Sequence, residues 1–233
     1  MCGNCTVEEN VKRLMGEEKA DMLLTDPPYN IDYKEMKKDR KIKNDIMEDD
    51  SFLDFLSLGL KGEFSCSYVF CSWQKMELFK QAMEKMDKKI KSMIIWDKEI
   101  PAQNLDKYFK QHELIFYSGP FGGERTIRGD IWKIKRQRNE MHPTMKPVEL
   151  LEMMLNDNSE AKIVYDGFLG SGSTLIACEK TNRKLYGCEI DPHYIDVIVK
   201  RYSEFTKQTE NIFLERDGKK TPYSQLIDEN PLK

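Results

Sequence analysis

Along most of the 233 residues, short apolar runs alternate with segments of helical period. Ala20–Thr25, Ser67–Trp73, Ser92–Asp97, His112–Tyr117, Lys162–Tyr165 and Lys184–Glu189 are short, apolar and bounded by turn residues, which predicts buried strands. Between them the apolar positions recur every three or four residues. Val7, Val11, Leu14 and Met15 predict a helix over 7–19, with Thr6 and Glu9 as a capping box. Phe52, Leu53, Phe55, Leu56 and Leu60 predict one over 51–60, and Met76, Phe79, Met83 and Met86 one over 75–86. Pro147 suits the first position of a helix at 148–155. Further helices are expected at 174–180 and 194–205, the latter with Ile195, Ile198, Val199 and Tyr202 on one face. Ile131 and Ile134 suggest a short strand, as does Ile212-Phe213-Leu214. The pattern predicts an α/β protein, a doubly wound sheet with helices on both faces in a single domain. That domain is expected over 1–217, with a short insert at 119–147. Residues 218–233 read as a polar, loosely held tail.

Composition narrows the class. Hydrophobic residues make up 39% and charged residues 33%, with a net charge of −3. No apolar run approaches the roughly 20 residues of a membrane span. Met1-Cys2-Gly3-Asn4-Cys5 lacks a signal-peptide pattern, so a cytoplasmic location is expected, with no membrane partner. Cys2 and Cys5 make one C-x-x-C, but zinc needs about four ligands and no second motif follows, so no metal is expected. Although the chain is not basic overall, cations cluster at Lys34, Lys37, Lys38, Arg40, Lys41 and Lys43. A second cluster comprises Arg125, Arg128, Lys133, Lys135, Arg136 and Arg138, around Trp132. Each reads as a solvated face or as a surface tracking nucleic-acid phosphates.

Candidate chemistry lies at two strand ends. Asp166-x-Phe168-x-Gly170-x-Gly172 joins a strand to a helix, where glycines allow a tight turn and close approach of a ligand. Glu189 closes the next strand, placed to accept hydrogen bonds from a ribose. Thr174 and Leu175 break the dinucleotide fingerprint, and no Gly-Lys-Ser/Thr completes a phosphate loop. A nucleoside cofactor without a phosphate cradle remains, and S-adenosylmethionine, a sulfonium, fits. The other strand end is Asp26-Pro27-Pro28-Tyr29. An exocyclic amine on a base is a poor nucleophile because its lone pair is delocalised. The Asp26 carboxylate and the Pro27 carbonyl can accept its hydrogens, the prolines rigidify the loop, and Tyr29 offers a stacking face.

Four stretches together resemble a known family. They are Thr25-Asp26-Pro27-Pro28-Tyr29-Asn30, His142-Pro143-Thr144-Met145-Lys146-Pro147, Asp166 to Thr174, and Gly187-Cys188-Glu189-Ile190-Asp191-Pro192. In that order they are similar to the amino-methylating DNA methyltransferases whose catalytic motif precedes the cofactor motif. The resemblance implies a seven-stranded Rossmann-like methyltransferase sheet, S-adenosylmethionine as donor, and a base flipped out of double-stranded DNA, as in restriction-modification. It implies that Asp26, Pro27, Pro28 and Tyr29 are catalytic. Asp166, Phe168, Gly170, Gly172 and Ser173 would form the cofactor loop, and Glu189 would bind the ribose. Thr144 and Lys146 would reach the cofactor carboxylate. Asn4 stands where the family has an aspartate at the cofactor adenine, and Gly167 stands where a proline is common, implying a looser loop. Lys37, Lys38, Arg40, Arg125, Arg128, Lys133 and Arg136 would bind DNA. Asp before Pro-Pro-Tyr leans towards adenine N6 over cytosine N4. The small recognition region at 119–141 suggests a short target sequence, or one completed by a second copy in a homodimer. Methylation of RNA or of a protein glutamine, a catalytically silent DNA-binding module, and a nicotinamide oxidoreductase are the competing readings. The glycine spacing opposes the last, and Asp in place of Asn before Pro-Pro-Tyr opposes the glutamine reading.

Overall fold

The computed structural model describes residues 1–31, 46–102, 107–119, 128–136 and 145–229. Lys37, Lys38, Arg40, Arg125 and Thr144 lie outside them. Seven strands form one sheet: β1 (Met22–Thr25), β2 (Cys66–Cys71), β3 (Ser92–Ala102), β4 (Lys110–Ser118), β5 (Ile131–Lys133), β6 (Ile163–Asp166) and β7 (Lys184–Gly187). Their order is β5-β3-β4-β2-β1-β6-β7. β4 runs antiparallel to both neighbours and the other pairings are parallel.

The strands are continuously apolar because both faces of the sheet are covered. Met22, Leu24, Tyr68, Phe70, Ile115 and Val164 point into one core, together with Leu150, Leu151 and Met154 of α4 (Val148–Asn156) and Ala177 of α5 (Ser173–Lys180). Leu23, Val69, Leu114 and Phe116 point the other way. They meet Phe52, Phe55 and Leu56 of α2 (Asp49–Gly59) and Phe79 and Met83 of α3 (Met76–Lys85). The alternation is the period of two that a strand imposes. Each fully buried leucine or phenylalanine contributes about 1.5–3 kcal/mol.

Three local expectations change. The first helix, α1 (Glu8–Met15), does not use the Thr6/Glu9 box. The Thr6 hydroxyl and N–H both donate to Asn4 Oδ1, at 2.9 and 3.0 Å, so an Asx turn leads the chain into α1 instead. Residues after 217 are not all loose. β8 (Phe213–Arg216) and β9 (Lys219–Pro222) pair as a hairpin, and α7 (Tyr223–Glu229) follows. Asp217 and Gly218 turn it with φ of 52° and 75°, a two-residue turn in which Asp-Gly is favoured. Within 119–147, β5 completes the edge of the main sheet. Trp132 and Ile134 join the core, and the Trp96 indole donates to the Ile134 carbonyl at 2.7 Å. α6 (Pro192–Thr206) begins as proline and a capping carboxylate dictate, with Asp191 accepting from the His193 N–H at 3.0 Å. No described helix is long and apolar enough to cross a membrane.

β1 lies between β2 and β6, and the chain leaves it towards β2, returning to its other side only at β6. This is a topological switch point, where ligands bind beyond the carboxyl ends of the strands. The Asp26 loop and the glycine loop both start there.

Candidate active site

Thr25 ends β1 and its buried hydroxyl donates to Asp166 Oδ1 at 2.7 Å, joining the ends of β1 and β6. Asp166 Oδ1 also accepts from the Phe168 N–H at 3.0 Å, and Oδ2 accepts from the Thr174 hydroxyl at 2.7 Å. Burial lifts the Asp166 carboxyl to about 6, against the three hydrogen bonds. Expected as a cofactor contact, this side chain instead points into the protein and shapes the loop. A short side chain at the first position of a turn satisfies the loop's own N–H most directly.

The glycine loop is tight. Gly170 and Gly172 have φ of 52° and 79°, a region costly for other residues. A Cβ on Gly172 would stand 2.9 Å from Ile198 Cγ1. Arg201 of α6 donates to the Ser171 carbonyl at 2.6 Å and so braces the loop from behind. Ser173, almost fully buried, is the first residue of α5. Phe168 packs on Phe55 with ring centroids 5.5 Å apart. Gly167 does not loosen the turn. A Cβ there would meet the Cys5 side chain at 3.2 Å and the Gly59 carbonyl at 3.3 Å, so the glycine serves close packing. Cys5 acts as a small apolar residue, and among the described residues no cluster of His, Cys, Asp or Glu could hold a metal.

Glu189 follows β7. One oxygen accepts from the Gly170 N–H and the other from the Asp191 N–H, both at 2.8 Å, and each retains a lone pair for a hydroxyl donor. Burial raises its pKa, while those backbone N–H groups oppose the rise. The amino terminus is threaded alongside: the Gly3 N–H donates to the Glu189 carbonyl at 2.8 Å and the Met1 ammonium to the Gly187 carbonyl at 2.7 Å. Asn4 therefore lies beside Glu189 at the carboxyl edge of the sheet, but its side-chain Oδ1 is already engaged twice by Thr6. An adenine amine would have to compete for it.

At the other loop, Pro27 is buried and Asp26 is half-buried. The Tyr29 hydroxyl donates to Asp26 Oδ1 at 2.7 Å and lies 3.2 Å from Glu113 Oε2, while its ring meets Phe79 edge-on at 6.1 Å. Lys146 is the largest departure from expectation. Assigned from sequence to the cofactor carboxylate, its ammonium lies 2.5 Å from Asp26 Oδ2 and 3.1 Å from Glu113 Oε2. Two carboxylates in a partly dry site require a cation between them. Burial raises the Asp26 pKa and Glu113 adds to it, while Lys146 and Tyr29 oppose. Burial also pushes Glu113 up, but Lys146 and Lys98 outweigh that and leave it at about 2. Lys146 loses by burial and gains more from Asp26 and Glu113, so its pKa rises.

Sequence reasoning missed three participants. Glu113 and Lys98 join this network, at 2.6 Å from each other. An acid within the apolar run His112–Tyr117 was the available signal. Asn30, in the left-handed region at φ 56°, exchanges two hydrogen bonds with the Met47 backbone, at 2.6 and 2.8 Å, and clasps the two ends of the chain between 30 and 47. Of the described basic residues, Lys133 ends β5 and Arg136 follows it, at the same edge as Asp26. Arg128 lies before β5, towards the opposite end, paired with Asp157 at 3.3 Å and stacked on Trp132.

An acidic prolyl loop beside a glycine loop, at the switch point of this seven-stranded sheet, defines a Rossmann-like methyltransferase fold. The DNA methylase family of the N6/N4 type matches residues 20–120 and 123–200, and the chain belongs to that family. It is 25% identical over 225 residues to the type II methyltransferase M.HpaI of Haemophilus parainfluenzae, covering 81% of this chain and 70% of that one. It is also 25% identical over 232 residues to the DNA adenine methyltransferase YhdJ of Escherichia coli K12, covering 79% and 76%. The crystal structure of an M1.HpyAVI–SAM complex superposes with a TM-score of 0.58 at 23% identity, covering 85% of this chain and 98% of that chain.

Proposed function

We propose that this protein transfers a methyl group from S-adenosylmethionine to the exocyclic N6 of adenine in a short sequence of double-stranded DNA. The carrying observation is the juxtaposition of the Asp26–Tyr29 loop with the glycine loop, tied through Thr25 and Asp166 at adjacent strand ends. The residues suit the cofactor: a turn tight enough for a ligand to approach the backbone, and a carboxylate at Glu189 with lone pairs for ribose hydroxyls. Phe168, Gly170, Gly172 and Ser173 would line it, with Asp166 holding the loop's shape. S-adenosylmethionine, when bound, supplies an electrophilic methyl on sulfur.

The protein's part is to make the amine a better nucleophile. Asp26 and the Pro27 carbonyl accept the two amino hydrogens, drawing the nitrogen towards a tetrahedral geometry and returning density to its lone pair. The amino proton that would become acidic on transfer of the methyl from sulfur to nitrogen, with the neutral thioether leaving, lies where Asp26 can take it. The prolines hold these acceptors in place before the base arrives. Tyr29 stacks on the base, with its ring angle set by the two hydroxyl contacts. Thr144 would serve the cofactor carboxylate, while Lys146, expected there too, stays between Asp26 and Glu113. Lys133 and Arg136 would contact DNA phosphates, with Lys37, Lys38, Arg40 and Arg125. Homology to a DNA adenine methyltransferase and Asp before Pro-Pro-Tyr favour adenine. Cytosine N4 is the second reading, because the matching family includes both.

The test is incubation with tritiated S-adenosylmethionine and duplex DNA, followed by chromatography of the nucleosides. Label is expected in N6-methyladenine. Label in N4-methylcytosine selects the second reading. Unlabelled DNA from a protein that binds the cofactor overturns both.

A further inference from the structure

The charges around Asp26 form a chain. Lys98 Nζ lies 2.6 Å from Glu113 Oε1, Glu113 Oε2 lies 3.1 Å from Lys146 Nζ, and Lys146 Nζ lies 2.5 Å from Asp26 Oδ2. Signs alternate and sum to zero. Asp26 is the most exposed of the four side chains, at 26%, against 19% for Glu113, 10% for Lys98 and 7% for Lys146. The reacting group is thus the member that meets solvent most, and the three charges behind it are largely buried. The Lys98 ammonium is seated over the Trp96 ring at 5.3 Å, and that of Lys146 lies 4.9 Å from the Phe70 ring centre. Glu113 is the branch point, since the Tyr29 hydroxyl is also 3.2 Å from its Oε2. Both acceptor oxygens of Asp26 are thus held by groups that Glu113 holds in turn.

We propose that Glu113 is a positioning residue for the transfer: through Lys146 and the Tyr29 hydroxyl it orients the Asp26 carboxylate and limits how strongly Lys146 claims it. This rests on the reading of Asp26 as the acceptor of the target amine. A lysine paired with Asp26 alone would hold the oxygen that the amine must reach. Lys146 contacts Oδ2 at 2.5 Å and is drawn from its other side by Glu113 at 3.1 Å, so the oxygen keeps its second lone pair for the amine while part of the lysine's charge is taken up by Glu113. Glu113 does not touch the reacting atoms. It lies on β4, the antiparallel strand, where Glu113 pairs with Trp96 of β3. The reversed direction of β4 puts its early residues at the carboxyl ends of the parallel strands. The ionisable groups acting on Asp26 are Tyr29 of its own loop, Glu113 of β4 and Lys146 of the segment before α4. Cys71 at the end of β2 and Asp166 at the end of β6 also feel its charge.

The proposal fixes signs. Glu113 raises the Asp26 pKa and Lys146 lowers it. In Glu113→Gln the raising charge is gone and Lys146 belongs to Asp26 alone, so the Asp26 midpoint moves down. In Lys146→Met it moves up. Carbon-13 NMR of the carboxyl carbons, with Asp26 assigned by its loss in Asp26→Asn, reads both in protein without cofactor. Displacements of about one pH unit, tenfold in proton affinity, are expected in opposite directions. The acid limb of the methyl-transfer profile should follow them, with turnover of Glu113→Gln about tenfold lower and cofactor affinity within twofold of the unaltered protein. Unmoved midpoints, or midpoints moving the same way, overturn the proposal. Because Glu113→Gln strands Lys98, the double variant Lys98→Met/Glu113→Gln is measured beside it, and it must show the same downward displacement. If the unaltered protein transfers no methyl group, the proposed function fails, while the NMR displacements still decide the electrostatic arrangement.

Discussion

The two loops at the switch point are built on opposite plans. The glycine loop is held by backbone hydrogen bonds, two positive-φ glycines and hydroxyls converging on one buried carboxylate. Phe168 and Thr174 lie within eight residues of that carboxylate, and Thr25, Glu189 and Arg201 brace the loop from farther along the chain. The Asp26 loop is held by charges gathered from far along the chain: Lys146 is 120 residues away and Glu113 more than 80. A loop that must present a shape can be set mainly by its own backbone, with distant groups only bracing it. A loop that must present a charge in a half-dry site depends on whatever other charges the fold brings to it.

Removing the charge should have the largest effect. Asp26→Ala is expected to lower methyl transfer by at least about 100-fold while calorimetry shows cofactor binding retained, because the two loops would then fail separately. Cofactor binding lost along with transfer would merge them. Altering the shape comes next. Gly172→Ala places a Cβ against Ile198 and forces a left-handed backbone, at about 1–3 kcal/mol. A lower melting temperature and weaker cofactor binding should follow, with the Asp26 carboxyl titration unmoved.

Asp166 joins the two plans, and pH sharpens the contrast. Its folded-state pKa of about 6 exceeds the ordinary value near 3.9 for an unfolded chain. The folded protein therefore binds the proton more tightly, and the stability this group contributes is full below pH 4 and lost as pH rises through 6. Denaturant unfolding should show the unaltered protein losing up to about 3 kcal/mol relative to Asp166→Asn over that interval. A flat difference between the two would mean that the carboxylate is as well solvated folded as unfolded. The smallest effect separates two surface positions. Arg136→Ala should weaken DNA binding and reduce its salt slope by about one, whereas Arg128→Ala, towards the other end of the sheet and paired with Asp157, should change neither. Filter binding over a range of salt concentrations reads both.

Much of the fold was legible in the sequence because it is local in origin. Leu23 and Leu24 face opposite cores by the strand's own alternation, and Pro27-Pro28 must leave the sheet wherever the sheet lies. The Asp217-Gly218 turn is equally local but gives a faint signal, since the residues around it are polar and the hairpin packs little apolar surface. The Thr6/Glu9 box failed against an equally local competitor, because Asn4 engages Thr6 first. Gly167 departs from its expected looseness for another reason. A missing side chain reads as freedom until Cys5 and the Gly59 carbonyl are seen against it.

The sequence alone determined the alternation of strands and helices, the rigid acidic turn, the tight glycine turn, and the order in which they come. Each follows from backbone sterics and from patterns within a few residues. Only the tertiary structure decided that β1 sits between β2 and β6, and that β4 runs backwards to bring Glu113 to the active edge. It alone placed Lys146 on Asp26. Those outcomes depend on which strands pair and on which charges then share a partly dry space, and a partner 120 residues away leaves no mark on the pattern around Asp26.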